Sequence, residues 1–190
     1  MKKKISQILL YFVLGVVVLG LVLCAIIKVN FKPEIQVPLT DAVGQIEITT
    51  TDGTSKVESS KENIDVEKFN NLFNDSFELN VLYSLFSGKL GSEIKVTKLT
   101  KEPTVSGYEV KFLYTDNVKL VIDGKEQTVA SNSTTPIQYN RVVFGVEEKG
   151  LTEVALYFYE QGTTTYYKVT TIANYDSLYN YISQLSMFGE

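Results

Sequence analysis

Twenty residues in a row, Ile8 to Ile27, carry no charge, whereas beyond Asp65 apolar residues recur first at steps of three and four and then at every second position. These three regimes predict three kinds of structure. A helix as long as the first run rises about 30 Å, the hydrocarbon thickness of a bilayer, so residues 5–28 are expected to form a transmembrane signal anchor in which 8–27 meet lipid. The preceding tail, residues 1–4, carries Lys2, Lys3 and Lys4, and such lysines stay cytoplasmic. Everything after Lys28 is then delivered outside.

Residues 29–63 read as a stalk and linker. Pro33 and Pro38 interrupt any helical period, Gln45–Thr49 alternates as a short strand would, and Thr49–Asn63 is polar with Asp52-Gly53 as a turn. The folded domain is expected over 64–190.

Asp65, a good N-cap residue, precedes Phe69, Leu72, Phe73, Ser76 and Phe77 at helical spacing. A break is expected near Asn74-Asp75, followed by a second apolar set, Val81, Leu82, Leu85 and Phe86, that stops at Ser87-Gly88. The period then becomes two. Ile94, Val96 and Leu99 open it, Tyr108, Val110, Phe112 and Tyr114 alternate with Glu109, Lys111, Leu113 and Thr115, and Val118, Leu120 and Ile122 lead to Asp123-Gly124, a two-residue hairpin signal. Val142, Phe144 and Val146, then Val154, Leu156 and Phe158, then Thr165, Tyr167 and Val169, separated by turns at Glu148-Lys149-Gly150 and Gln161-Gly162, predict a three-strand meander. Leu178, Tyr181, Ile182, Leu185 and Phe188 behind Asp176-Ser177 predict a short C-terminal helix. The fold class is therefore α+β: about six antiparallel strands, a helix before and a short helix after, both on one face of the sheet.

A two-residue hairpin at Gln161-Gly162 would set Leu156 opposite Tyr167 and Val154 opposite Val169 on the core face. Tyr157 would then oppose Tyr166 on the other face and Tyr159 would join them. Tyr157, Tyr159 and Tyr166 are thus the candidate interaction patch, suited to a protein strand or to the rings of a wall sugar.

Composition sharpens the address. Five of the 18 basic residues lie at or before Lys32, and all 22 acidic residues lie from Glu34 onward. The outer part is strongly acidic, which disfavours nucleic acid and anionic headgroups as partners. Seventeen of the basic residues are lysine and only Arg141 is arginine, a skew that, with abundant Asn, Ile and Tyr, suggests an AT-rich bacterial gene.

The apolar run exceeds the 7–15 residues of a cleaved signal, and its exit, Cys24-Ala25-Ile26-Ile27-Lys28, lacks an A-x-A site. An uncleaved anchor is the expectation. The alternative is a lipoprotein held through Cys24, since Leu21-Val22-Leu23-Cys24 resembles a lipobox with Leu23 where a small residue is usual. Gly15 and Gly20, five apart, do not make the four-spaced pattern of a helix dimer.

The chain has no histidine and its single thiol lies in the apolar run, which excludes Ser-His-Asp and Cys-His catalysis and His-based zinc sites. Ser92-Glu93-Ile94-Lys95 has the S-x-x-K spacing but enters a strand, where Ser92 and Lys95 point apart. Ser87-Gly88-Lys89 lacks the upstream glycine and following hydroxyl of a phosphate loop. Asp116 and Asp123 read as turn residues and Glu147 and Glu148 as solvated ones. No catalytic residue, cofactor or metal ligand is expected.

The order of elements on a single-pass anchor resembles, in architecture alone, the extracytoplasmic nuclear-transport-factor-like domains of secretion components, without a shared motif and without that fold's multi-helix start. The anchor together with the absence of catalytic motifs points to contact work, in an envelope or secretion assembly. The expected function is a non-catalytic, membrane-anchored extracytoplasmic protein that contacts other envelope proteins; the alternative is a ligand- or glycan-binding envelope domain.

Overall fold

A computed structural model describes residues 2–30, 35–36, 43–50, 56–58, 64–77, 95–122 and 124–185. Two compact units divide the chain, Met1–Lys32 with Leu79–Gly91, and Pro33–Glu78 with Ser92–Glu190. The described part of the first is helix α1, Lys2–Asn30. Its stretch Leu9–Ile26 is long and apolar enough to cross a membrane, and none of that stretch is buried. The helix runs unbroken through Cys24, a free thiol.

In the second unit, period-two alternation becomes a sheet. Its strands are β1 (Ile35–Gln36), β2 (Val43–Thr50), β3 (Lys56–Glu58), β4 (Lys95–Leu99), β5 (Tyr108–Lys119), β6 (Val121–Ile122), β7 (Lys125–Glu126), β8 (Gln138–Val146), β9 (Leu151–Tyr159) and β10 (Tyr166–Asn174). Seven of them form one sheet in the order β3-β2-β5-β8-β9-β10-β4, with every pairing antiparallel. β1, β6 and β7 make a small second sheet, in which β6 and β7 form the expected hairpin with Ile122 opposite Lys125 and Gly124 at φ +70°. The meander β8-β9-β10 is present as read from the pattern.

Helix α2, Val66–Asp75, begins at Asp65, whose Oδ1 accepts the Lys68 amide at 3.0 Å. It ends where the break was expected. Phe69 and Phe73 are fully buried and meet Phe112 edge-on, with centroids 5.9 and 5.4 Å away, and Phe73 also packs on Phe144 at 5.0 Å. Helix α3, Asp176–Ser183, buries Leu178 and Ile182. The Tyr181 hydroxyl accepts the Asp65 amide at 3.1 Å, which ties α3 to the start of α2. Both helices cover the sheet face that carries Ile46, Ile48, Val110, Phe112, Val142, Phe144, Leu156, Phe158, Tyr167 and Val169. Burying this one apolar face is what the alternation was for.

Four details differ from the sequence reading. The short strand at Gln45–Thr49 is an inner strand: Ile46 and Ile48 are in the core and β2 pairs with β5 from Val43 to Thr50. Asp116 lies within β5, in the irregular stretch between Leu113 and Val118, instead of at a turn. Asp176 is inside α3; the Asn174 Oδ1 accepts its amide at 2.9 Å, and its own carboxylate accepts the Gly150 amide at 2.9 Å. The β9–β10 turn is longer than two residues, because Glu160 N–H bonds to the Thr165 carbonyl and Thr163 Oγ1 to the Glu160 carbonyl, with Gly162 at φ +76°. The register therefore moves by two, setting Leu156 opposite Val169 and Tyr159 opposite Tyr166. A shift of two leaves every side chain on its expected face. The second apolar set, Val81–Phe86, its stop at Ser87-Gly88, and Phe188 lie outside the described residues.

Candidate functional site

Helices α2 and α3 lie on one face of the sheet, and among the described residues no helix packs on the other. Its register aligns Gln45, Leu113, Arg141, Tyr159, Tyr166 and Leu99 in a single row across six strands. Arg141 holds the centre of this row. Its guanidinium carbon lies over the Tyr159 ring, 4.4 Å from the centroid, and 5.9 Å from that of Tyr166. Nη2 donates to the Tyr166 hydroxyl at 2.9 Å, and Glu102 Oε1 stands 3.9 Å away. The two tyrosine rings are 4.6 Å apart. Arg141 Nε is buried without a hydrogen-bond partner.

A planar cation on an aromatic face is a contact lysine reproduces poorly, which gives the chain's single arginine a physical reason to be here. Tyr166 is only 4% exposed. Burial raises its hydroxyl above the ordinary tyrosine range, a rise that Arg141 opposes and Glu102 reinforces. The Glu102 carboxylate is mostly exposed, so its pull on Arg141 is weak.

The connection from β4 to β5 straps this face. Gly107 reverses the chain at φ +76°, and the strap then lies close enough to β8 that a Cβ at Gly145 would collide with the Ser106 carbonyl. At its other end Glu102 reaches Arg141. Between these two contacts sits Val143, outward-facing in the pleat yet 3% exposed. Among the described residues it is a strap, not a helix, that crosses the middle of the tyrosine face, and Arg141 and Tyr159 beside it are half-buried.

Beside the strap the sheet opens. The β8–β9 ladder runs only from Arg141 opposite Tyr159 to Phe144 opposite Leu156. Beyond it β8 stays with β5 as far as Val146 and β9 stays with β10 as far as Leu151, so the two strands part. The gap is a cavity of about 260 Å³, lined by residues that include Thr104, Ser106, Glu147, Lys149, Thr152, Glu153, Tyr157 and Tyr175. Glu147 and Lys149 form an ion pair whose hydrogen bond holds the Glu147 carboxyl below the usual carboxylate range. Tyr175 is buried and its hydroxyl has no hydrogen-bond partner among the described residues; burial raises that hydroxyl far above the ordinary range.

The three tyrosines read from the sequence do share the outer face, but the structure divides them. Tyr159 and Tyr166 stack with Arg141, while Tyr157 stands in the next row, between Val143 and Lys168, and lines the cleft. Arg141, Glu102 and the cleft were not identified from the sequence. For Arg141 a signal existed: it alternates with inward-facing Val142 and Phe144. Among the described residues no group of His, Cys, Asp and Glu is placed to hold a metal. No known family model, curated protein or solved structure matches the chain, so the geometry of this face carries the functional argument.

Proposed function

We propose that the chain is a single-pass membrane-anchored extracytoplasmic protein, non-catalytic, that works through protein contacts in a cell-envelope or secretion-type assembly. The observation that carries this reading is the Arg141–Tyr159–Tyr166 row on the sheet face opposite α2 and α3. Arginine and tyrosine are the side chains most enriched where proteins bind one another, because each offers large rigid area with a polar tip. Leu113 and Leu99, half-buried in the same row, add apolar area to it. The anchor supports the address: the basic tail favours a cytoplasmic N-terminus, and the continuation of α1 past Cys24 to Asn30 favours an intact peptide anchor over the lipoprotein alternative.

Crosslinking the tagged full chain in its own membranes tests the reading. The wild type should capture a partner protein, and the double variant Arg141→Ala, Tyr159→Ala should lose it while retaining a cooperative melt. Capture undiminished by a folded double variant would remove this face from the contact.

A further inference from the structure

We propose that the cleft where β8 and β9 part is a binding site for a neutral sugar ring, the pyranose unit of an envelope saccharide. The proposal goes beyond the protein-contact reading and uses different residues, Tyr157 and Glu153 in place of Arg141 and Tyr159.

Size comes first. A cavity of about 260 Å³ has room for on the order of nine water molecules at the liquid volume of about 30 Å³ each. That suits one six-membered sugar ring and is small for a nucleotide or a folded peptide segment. Its walls suit the same guest. A sugar ring offers one apolar C–H face and a rim of hydroxyls. Tyr157, half-buried at the cleft's side, supplies an aromatic surface for the first, and Thr104, Ser106, Thr152 and the exposed Glu153 supply donors and acceptors for the second.

Charge then selects among sugars. Glu147 is neutralised by Lys149, which leaves Glu153 as the uncompensated charge of the lining. A phosphate or uronate would meet that carboxylate unfavourably, whereas the hydroxyls of a neutral ring can donate to it. Tyr175 closes the inner end of the cleft from the core side, its ring packed on Phe77 and Phe144. The opening itself is built by sequence. Gly145 admits the Ser106 backbone against β8, and the Gly150 amide is held by Asp176 on α3, which fixes the far side of the turn.

The test uses the full chain in nanodiscs, titrated with methyl β-D-glucopyranoside and N-acetylglucosamine, with glucose 6-phosphate as the anionic comparison, and read by ligand-observed NMR. A neutral sugar should bind saturably with Kd on the order of 1–10 mM, usual for a single ring of about 4 kcal/mol or less, and the phosphorylated sugar should bind at least tenfold more weakly. Tyr157→Ala and Glu153→Gln should each weaken binding about tenfold, Tyr157→Phe should keep it, and Glu126→Gln, an exposed carboxylate on β7, should leave it unchanged. Glu153 is a surface side chain, so its variant stays folded even where Tyr157→Ala does not. No saturable binding of either neutral sugar, equal or tighter binding of the phosphorylated one, or full binding by folded Glu153→Gln would each overturn the proposal.

Discussion

The guanidinium of Arg141 sits over the ring of Tyr159, 4.4 Å from its centroid, on strands that the register sets side by side. A lysine in this place would keep the charge and lose both the flat stacking surface and the fixed geometry of the bond to Tyr166. Arg141→Lys should therefore lower the stability of the full chain by about 1 kcal/mol, and its effect should be non-additive with Tyr159→Leu by about 0.5–1 kcal/mol. Urea unfolding in micelles, followed by tyrosine fluorescence because the chain has no tryptophan, measures both. Simple additivity would show that the stacking contributes nothing.

Gly145 and Gly124 should respond differently to alanine. At Gly145 a Cβ meets the Ser106 backbone, which cannot rotate away as a side-chain tip would. Gly145→Ala should cost about 1–3 kcal/mol, the range for overpacking, and should loosen the strap, seen as faster amide exchange at Val105 and Ser106. At Gly124 the space is open and only φ of +70° opposes a side chain, so Gly124→Ala should cost about 1 kcal/mol and leave the strap's exchange unchanged. Equal exchange in the two variants would refute the close approach at Gly145.

Asp65 works in two directions. Its carboxylate caps α2 through Lys68 N–H, and its own amide donates to the Tyr181 hydroxyl on α3. Asp65→Ala should remove the cap alone and cost about 1 kcal/mol, while Tyr181→Phe should remove the cross-helix bond at about 0.5–1.5 kcal/mol. Melting the double variant should give the sum, since one change touches a side chain and the other the backbone of the same residue. A strong coupling between them would mean that the cap and the cross-helix bond form as one unit.

Alkali should unfold the domain abruptly. Burial holds the Tyr114, Tyr139 and Tyr175 hydroxyls far above the ordinary value near 10, and burial with the adjacent Glu160 carboxylate pushes Tyr167 up to about 12. The unfolded chain releases these protons near pH 10 while the folded chain keeps them. Stability is therefore undiminished below about pH 10 and falls as pH rises through 10 to 12 and beyond. Absorbance at the tyrosinate band should rise in two phases, exposed groups first and the buried ones together with loss of the fold. A single smooth titration with the fold intact would contradict this burial.

The membrane-length run, the Asp65 cap, the inward faces of β5, β8, β9 and β10 and the β6–β7 hairpin were legible because each depends on local periodicity or on one or two neighbouring residues. Even the mistaken β9–β10 register kept Leu156 and Tyr167 inward and Tyr157 and Tyr159 outward, since side-chain alternation survives a shift of two. What only the tertiary structure decided is what lies beside what across strands distant in sequence. Arg141 comes to Tyr159 and Tyr166 through cross-strand pairing over 18 and 25 positions of sequence, Gln45 and the core residues Ile46 and Ile48 join the sheet from what reads as linker, and Tyr157 borders a cleft because β8 and β9 stop pairing just beyond it, after Leu156. Periodicity says which way a side chain points; long-range pairing and the path of the Glu102–Gly107 strap decide what it meets.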